Sequence, residues 1–177
     1  MRVISGRLGG RSFEAPKGHR THPMSDRVRG GLFNALGDIE GLSVLDAFAG
    51  SGALSIEAVS RGAKHVIAID INKGAISTIV SSLKQLGISD QVKATRANAS
   101  GWSDNNPDVQ FDLVFSAPPY DDLQLNLVQK LTKHTKIGGI YVLDWPGNLI
   151  EPELQGLEVI QQKNYGDAQL VFYRRIS

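Results

Sequence analysis

Residues 42–54 read Leu42-Ser43-Val44-Leu45-Asp46-Ala47-Phe48-Ala49-Gly50-Ser51-Gly52-Ala53-Leu54. A short apolar run ends on a carboxylate, passes through two glycines and enters a segment with helical spacing that extends to about residue 61. This is the signature of a buried strand, a tight turn and a helix, the first unit of an α/β sheet. The glycines supply the positive φ angles that such a turn needs, and they let the backbone approach a ligand closely.

The same alternation continues outward from that unit. His65 to Ile69 forms a second strand candidate, a helix follows over about 72–86, and a third strand lies near 91–96. Phe111 to Phe115 makes a fourth strand and a helix falls near 122–133. Gly138-Gly139 turns into the strand Ile140 to Leu143, and Leu157 to Gln161 with Ala168 to Tyr173 suggest a closing hairpin. Upstream, Ser25-Asp26 offers a helix N-cap ahead of Val28, Leu32, Phe33 and Leu36. Strands that are apolar throughout, separated by helices, predict a doubly wound, mostly parallel sheet of seven strands covered on both faces. Residues 1–24 alternate glycine, arginine and isolated apolar residues and read as a basic arm or small β extension. Residues 25–177 then form the main domain.

Composition narrows the chemistry. The 177 residues contain no cysteine, which excludes disulfides and thiolate metal sites. His19, His22, His65 and His134 show no metal-ligand spacing, so no metal is expected. The start has no apolar leader segment and no stretch approaches the roughly 18 apolar residues of a membrane span. A soluble, cytoplasmic monomer is expected. The net charge of +1 conceals an imbalance: residues 1–34 carry seven cations against Glu14 and Asp26, leaving +5 there and −4 in the remainder. An acidic body with a basic arm suits a phosphate-backbone partner.

In a doubly wound sheet the ligand sits beyond the carboxyl ends of the strands, at the switch in strand order. The first tip, Asp46-Ala47-Phe48-Ala49-Gly50-Ser51-Gly52, and the second, Asp70-Ile71, are therefore the candidate cofactor site. A carboxylate at the second tip accepts hydrogen bonds from ribose hydroxyls, as in both dinucleotide and S-adenosylmethionine sites. The dinucleotide fingerprint wants a third glycine where Ser55 stands. S-adenosylmethionine brings a sulfonium and an amino group for Asp46 to face, and the tips favour it while leaving a nicotinamide dinucleotide as the alternative. The fourth tip, Ser116-Ala117-Pro118-Pro119-Tyr120, is the sharpest signal. Two prolines fix an extended course and free carbonyls for an amine substrate, and Tyr120 supplies a face on which a splayed-out base can stack.

The start Arg2-Val3-Ile4-Ser5-Gly6 with Gly10-Arg11, the segment Ser25 to Arg29 with Leu32-Phe33-Asn34, the stretch Val44 to Leu54 with Glu57-Ala58 and Ser60 to Ala63, and the run Phe111 to Tyr120 together resemble the RsmD-type methyltransferases. That family acts on a guanine N2 of small-subunit ribosomal RNA. The resemblance extends over essentially the whole chain and implies a class I methyltransferase sheet, S-adenosylmethionine as donor, and ribosomal RNA or the small-subunit particle as partner. It also implies that the β-tip residues 117–120 are catalytic and that Asn98-Ala99, in the place of an Asp-Ala pair after the third strand, meet the adenine. Arg7, Arg11, Arg20, Arg27 and Arg29 are the expected phosphate contacts. One departure bears on catalysis: where the family has Asp or Asn before Pro-Pro-Tyr, this chain has Ala117, whose methyl group accepts no hydrogen bond. A silent S-adenosylmethionine- or RNA-binding module, or an adenine methyltransferase acting on DNA, are the competing expectations.

Overall fold

A computed structural model describes residues 1–17 and 24–177 of the chain. Ser25 caps the first helix, α1 (Asp26–Leu36), by accepting the Val28 amide on its hydroxyl at 3.2 Å. The remaining elements are β1 (Ser43–Asp46), α2 (Ala53–Ser60), β2 (His65–Asp70), α3 (Lys73–Leu86), β3 (Val92–Arg96), α4 (Ala99–Asn105), β4 (Phe111–Ser116), α5 (Leu125–Leu131), β5 (Thr135–Pro146), β6 (Leu157–Asn164) and β7 (Ala168–Arg175). A single 3₁₀ turn, Thr132–His134, joins α5 to β5. The seven strands form one sheet in the order β3-β2-β1-β4-β5-β7-β6. The first five are parallel, and β7 runs antiparallel between β5 and β6.

Side-chain alternation along the strands sorts the core into two layers. Val44, Val66, Leu113, Phe115, Val142 and Phe172 pack with α1, α2 and α3 on one face. Leu45, Ile69, Val114, Tyr141, Leu143 and Tyr173 pack with α4 and α5 residues such as Ala99, Val128 and Leu131 on the other. The expected doubly wound architecture is therefore the observed one. Strand order reverses between β1 and β4, which are neighbours, and this places the switch point at Asp46 and Ser116.

The sequence reading differs from the structure in two elements. The helix α4 was not anticipated, because Ala99-Ser100-Gly101-Trp102-Ser103-Asp104-Asn105 is poor in helix formers; the Asn98 cap and burial of Ser103 hold it. The strand β5 starts well before Ile140. Gly138, at φ 80°, does not end a turn but absorbs a register shift, so that Thr135 pairs with Phe111 and Ile140 with Leu113.

Residues 1–13 fold back on themselves through a bridge between Arg2 and Ser12 and bury Val3, Leu8 and Phe13 in the α1–α3 layer. The buried Glu57 of α2 accepts the amides of Ile4 and Ser5 at 2.8 and 3.1 Å, and Ser60 exchanges hydrogen bonds with Ser5 and Leu8. Gly6 touches Ser60 so closely that a Cβ there would lie 2.0 Å from the Ser60 carbonyl oxygen. Among the described residues no helix is long and apolar enough to cross a membrane.

Candidate active site

The tips of β1, β2 and β4 open on one edge of the sheet, at the carboxyl ends of three adjacent parallel strands. The β1 turn is tied to both neighbours: the Ala47 amide donates to the Phe115 carbonyl at 3.0 Å and the Ala49 amide to the Ile69 carbonyl at 2.9 Å. Gly50 and Gly52 have φ angles of 54° and 78°, in the left-handed region that glycine adopts without strain. The Gly50 amide donates to Asp70 at 2.8 Å, and the Asn72 amide donates to the other oxygen of the same carboxylate. Asp70 thus clamps the glycine turn to the β2 tip. A carboxylate has about four lone-pair sites, and the two amides leave acceptor capacity facing outward. Beside it the Ile71 side chain is 65% exposed, an apolar surface suited to a flat base.

Asp46 lies beneath the turn, buried, and accepts the Ser55 hydroxyl at 2.7 Å. Ser55 stands where a dinucleotide fingerprint would require glycine, and its side chain is put to use as the support of Asp46. Burial pushes the Asp46 carboxyl up to about 6, opposed by the Ser55 hydrogen bond and reinforced by the nearby Asp70 charge. A carboxylate held at this cost gains from a cation arriving beside it. The buried carboxylate, the left-handed glycine turn and the ribose-type acceptor at the next tip fit a donor that carries a sulfonium, an amino group and a nucleoside. Phe48 and Ala49 complete the turn, and the Ser51 hydroxyl accepts the Ala53 amide to start α2.

Asn98 lies two residues beyond β3, but its amide oxygen accepts the Ser100 amide at 2.9 Å as the cap of α4. The oxygen expected to meet the adenine thus already serves as a helix cap, and Ala99 is buried behind it. A hollow of about 410 Å³ lies alongside, between Ser100 and the α5 residues Leu125, Asn126 and Lys130.

At the β4 tip Pro118 is buried, whereas Pro119 and Tyr120 face solvent. The Tyr120 hydroxyl donates to Asp144 at 2.5 Å and approaches the Trp145 carbonyl at 3.2 Å. Burial raises the tyrosine's pKa far above its ordinary value, helped by the Asp144 charge, so the ring is neutral and held in place. Asp144 was not singled out from the sequence, because it follows the strand run Ile140 to Leu143 with no motif around it. Its one signal there is a lone carboxylate at a strand tip. Ser116 is buried and follows Val114 by two residues, so its hydroxyl turns to the α4–α5 face.

Of the described arginines expected to meet phosphate, Arg29 is buried, and Arg7, Arg11 and Arg27 are exposed. Arg29 is fully buried, between Asp26 at 3.1 Å and Glu57 at 3.6 Å, and donates to the Arg2 carbonyl. It is a core ion pair that ties α1, α2 and the N-terminal segment together, and it has no surface with which to meet a phosphate. Arg7 hydrogen-bonds Gln91 and Arg11 the carbonyls of Gln85 and Leu86. These partners sit at the far end of α3, about 20 Å along a helix of this length from the tips. Arg27 is exposed, with its guanidinium 5.5 Å from the centre of the Tyr165 ring in the β6–β7 turn. Gly31 makes that packing possible, since a Cβ there would collide with the Tyr165 hydroxyl. Arg20 lies outside the described residues. Among the described residues no cluster of histidines and carboxylates is placed to hold a metal.

A seven-stranded sheet of this order, with its reversed β7 and its glycine turn clamped at the switch point, is the class I S-adenosylmethionine-dependent methyltransferase fold. Comparison with known proteins makes the assignment specific. Residues 1–174 match the family described as Conserved hypothetical protein 95. The Bacillus subtilis protein YlbH is 34% identical over 182 residues, 99% of each chain. Ribosomal RNA small subunit methyltransferase D of Escherichia coli is 32% identical over 121 residues, which cover 68% of this chain and 60% of that one. The solved structure of yhhF from Escherichia coli superposes with a TM-score of 0.89 at 26% identity, covering 99% of this chain and 98% of the other. The chain belongs to this family, the RsmD-type methyltransferases that its sequence motifs resemble.

Proposed function

We propose that the chain transfers the methyl group of S-adenosylmethionine to the exocyclic N2 amino group of a guanine in small-subunit ribosomal RNA. The observation that carries this reading is the adjacency of the β1 and β4 tips, which puts a glycine turn suited to a nucleoside donor next to a Pro-Pro-Tyr corner suited to a planar amine. The family and the printed name of the Escherichia coli relative support ribosomal RNA as the substrate class.

In this reading Asp70, Gly50 and Gly52 bind the nucleoside end of the donor, with Ile71 against its base and Asp46 facing its cationic end. When bound, S-adenosylmethionine supplies an activated methyl group on a sulfonium, a good leaving group. The guanine amine is a weak nucleophile because its lone pair is delocalised into the ring. The protein's task is orientation: the Pro118 carbonyl accepts one amino hydrogen, and the latched Tyr120 stacks the base so that the nitrogen lone pair meets the methyl carbon in line. The target base must first leave its stack, at a cost of a few kcal/mol. Exposed Arg27, at the start of α1, is the candidate for phosphate contacts that offset this.

A second reading, a silent binding module, draws on Ala117, which offers no acceptor where the family resemblance implies Asp or Asn. Single-turnover transfer of labelled methyl from S-adenosylmethionine to small ribosomal subunits separates the two. Transfer to a guanine amino group supports the first reading, and tight binding of S-adenosylhomocysteine without transfer overturns it. Transfer to DNA adenine instead would move the activity to the other amino-group substrate.

A further inference from the structure

The β4–β5 register pairs Ser116, the last residue of β4, with Leu143, so the chain leaves the strand at Ala117 beside Asp144. Phe115 and Val142, two residues earlier on each strand, both point into the α1–α3 layer. By alternation Asp144 points to that same side. Ala117 and Asp144 both line one narrow crevice, whose other walls include Met24, Leu32, Leu54 and Leu170. Among the described residues Asp144 is the one charged residue in that lining.

Among the described residues Asp144 has no cationic partner, and Tyr120 is its single hydrogen-bond partner, through one of its two oxygens. A half-buried carboxylate in an apolar cleft costs free energy unless something pairs with it. Burial accordingly raises its pKa above the ordinary carboxylate range, against the pull of the Tyr120 hydroxyl.

We infer that Asp144 is the hydrogen-bond acceptor for the target amino group, standing across the β4–β5 pair in the space that Ala117 leaves and replacing the side chain missing from the Pro-Pro-Tyr corner. The inference rests on the amine-methylation reading above. One oxygen holds the Tyr120 hydroxyl and so fixes the stacking ring. The other accepts an amino hydrogen, which turns the nitrogen lone pair toward the donor. As the N–C bond forms and the C–S bond breaks, positive charge passes from sulfur to nitrogen, beside the Asp144 carboxylate. The amine proton then leaves to Asp144 and on to water, and the products are the methylated base and S-adenosylhomocysteine.

The test is single-turnover methyl transfer to small ribosomal subunits, with S-adenosylhomocysteine binding measured by calorimetry on the same proteins. D144A is expected to lose on the order of 10²-fold in rate with donor affinity changed less than threefold. Adding A117D to D144A is expected to recover at least tenfold, because it restores an acceptor from the neighbouring strand. Y120F, which keeps the carboxylate and loses only the latch, is expected to lose less than D144A. Should D144A unfold at the assay temperature, the near-isosteric D144N carries the test with an expected loss of about tenfold. An active wild type with D144A or D144N within threefold of it, a D144A loss matched by Y120F, or no recovery in A117D/D144A overturns the role of Asp144 alone. A wild type that binds the donor and transfers nothing overturns the methylation reading and this inference with it.

Discussion

Replacing Glu57 by alanine tests how the N-terminal segment is held to the sheet. The Glu57 carboxylate is 1% exposed and carries four interactions: Ile4 and Ser5 amides at 2.8 and 3.1 Å, Arg61 at 2.8 Å and Arg29 at 3.6 Å. Arg29 is wholly buried, and two of its nitrogens, Nε and Nη1, already lack a hydrogen bond. Its remaining charge partner is Asp26, whose side chain is half exposed. Removing one member of a buried ion pair costs about 3–5 kcal/mol, mostly because the other charge is left without compensation. The part-buried Ile4 and Ser5 amides can turn to water, so their loss adds little. At roughly 2–4 °C per kcal/mol for a domain of this size, the melting temperature of E57A falls by about 10 °C or more. Thermal unfolding followed by circular dichroism gives the number. Hydrogen exchange gives the location, with protection lost at Ile4 and Ser5 and kept at Tyr141 and Val142 in β5. A melting temperature within about 3 °C of wild type, equivalent to roughly 1 kcal/mol, would refute the claim that this carboxylate anchors the segment.

Three further outcomes follow from the same geometry. Because burial pushes the folded Asp46 carboxyl up to about 6, from an ordinary value of 3.8, the folded chain holds the extra proton between those pH values and loses stability as pH rises through them. D46N removes this cost, so it should melt above wild type at pH 7 by an amount on the order of 3 kcal/mol, match it below pH 4, and bind S-adenosylhomocysteine more weakly; equal stabilities at pH 7 would contradict the burial argument. D70A frees the Gly50 and Asn72 amides and removes the ribose acceptor, and calorimetry should show at least a tenfold loss of S-adenosylhomocysteine affinity, with unchanged affinity counting against the cofactor assignment. G6A places a methyl group against the Ser60 carbonyl at a φ of 85°, and chemical denaturation should register a loss of 2 kcal/mol or more, on the order expected for strain at such a backbone position.

The strands and the three tips were legible in the sequence because their signals are local. An apolar run that ends on a carboxylate, a glycine pair or a double proline carries its meaning within a few residues. The helix α4 was not legible because its residues are indifferent to helix formation, and only the cap and the packing of its inner face settle it. The arginines show a different boundary. Charge counting finds a basic N-terminal segment, but Arg29 is buried only because Glu57, on a helix far along the chain, comes to meet it. Arg7 and Arg11 are carried to the far end of α3 by the docking of Gly6 on Ser60, a contact no spacing announces. Asp144 is invisible for the same reason, since its relation to Ala117 exists only through the β4–β5 register.

The most direct test is nucleoside mass spectrometry of small-subunit ribosomal RNA after incubation with the protein and S-adenosylmethionine carrying a deuterated methyl group. The account predicts a single new species, guanosine bearing the deuterated methyl on N2. Label found only on adenine, only on protein, or nowhere in RNA despite bound donor would contradict it.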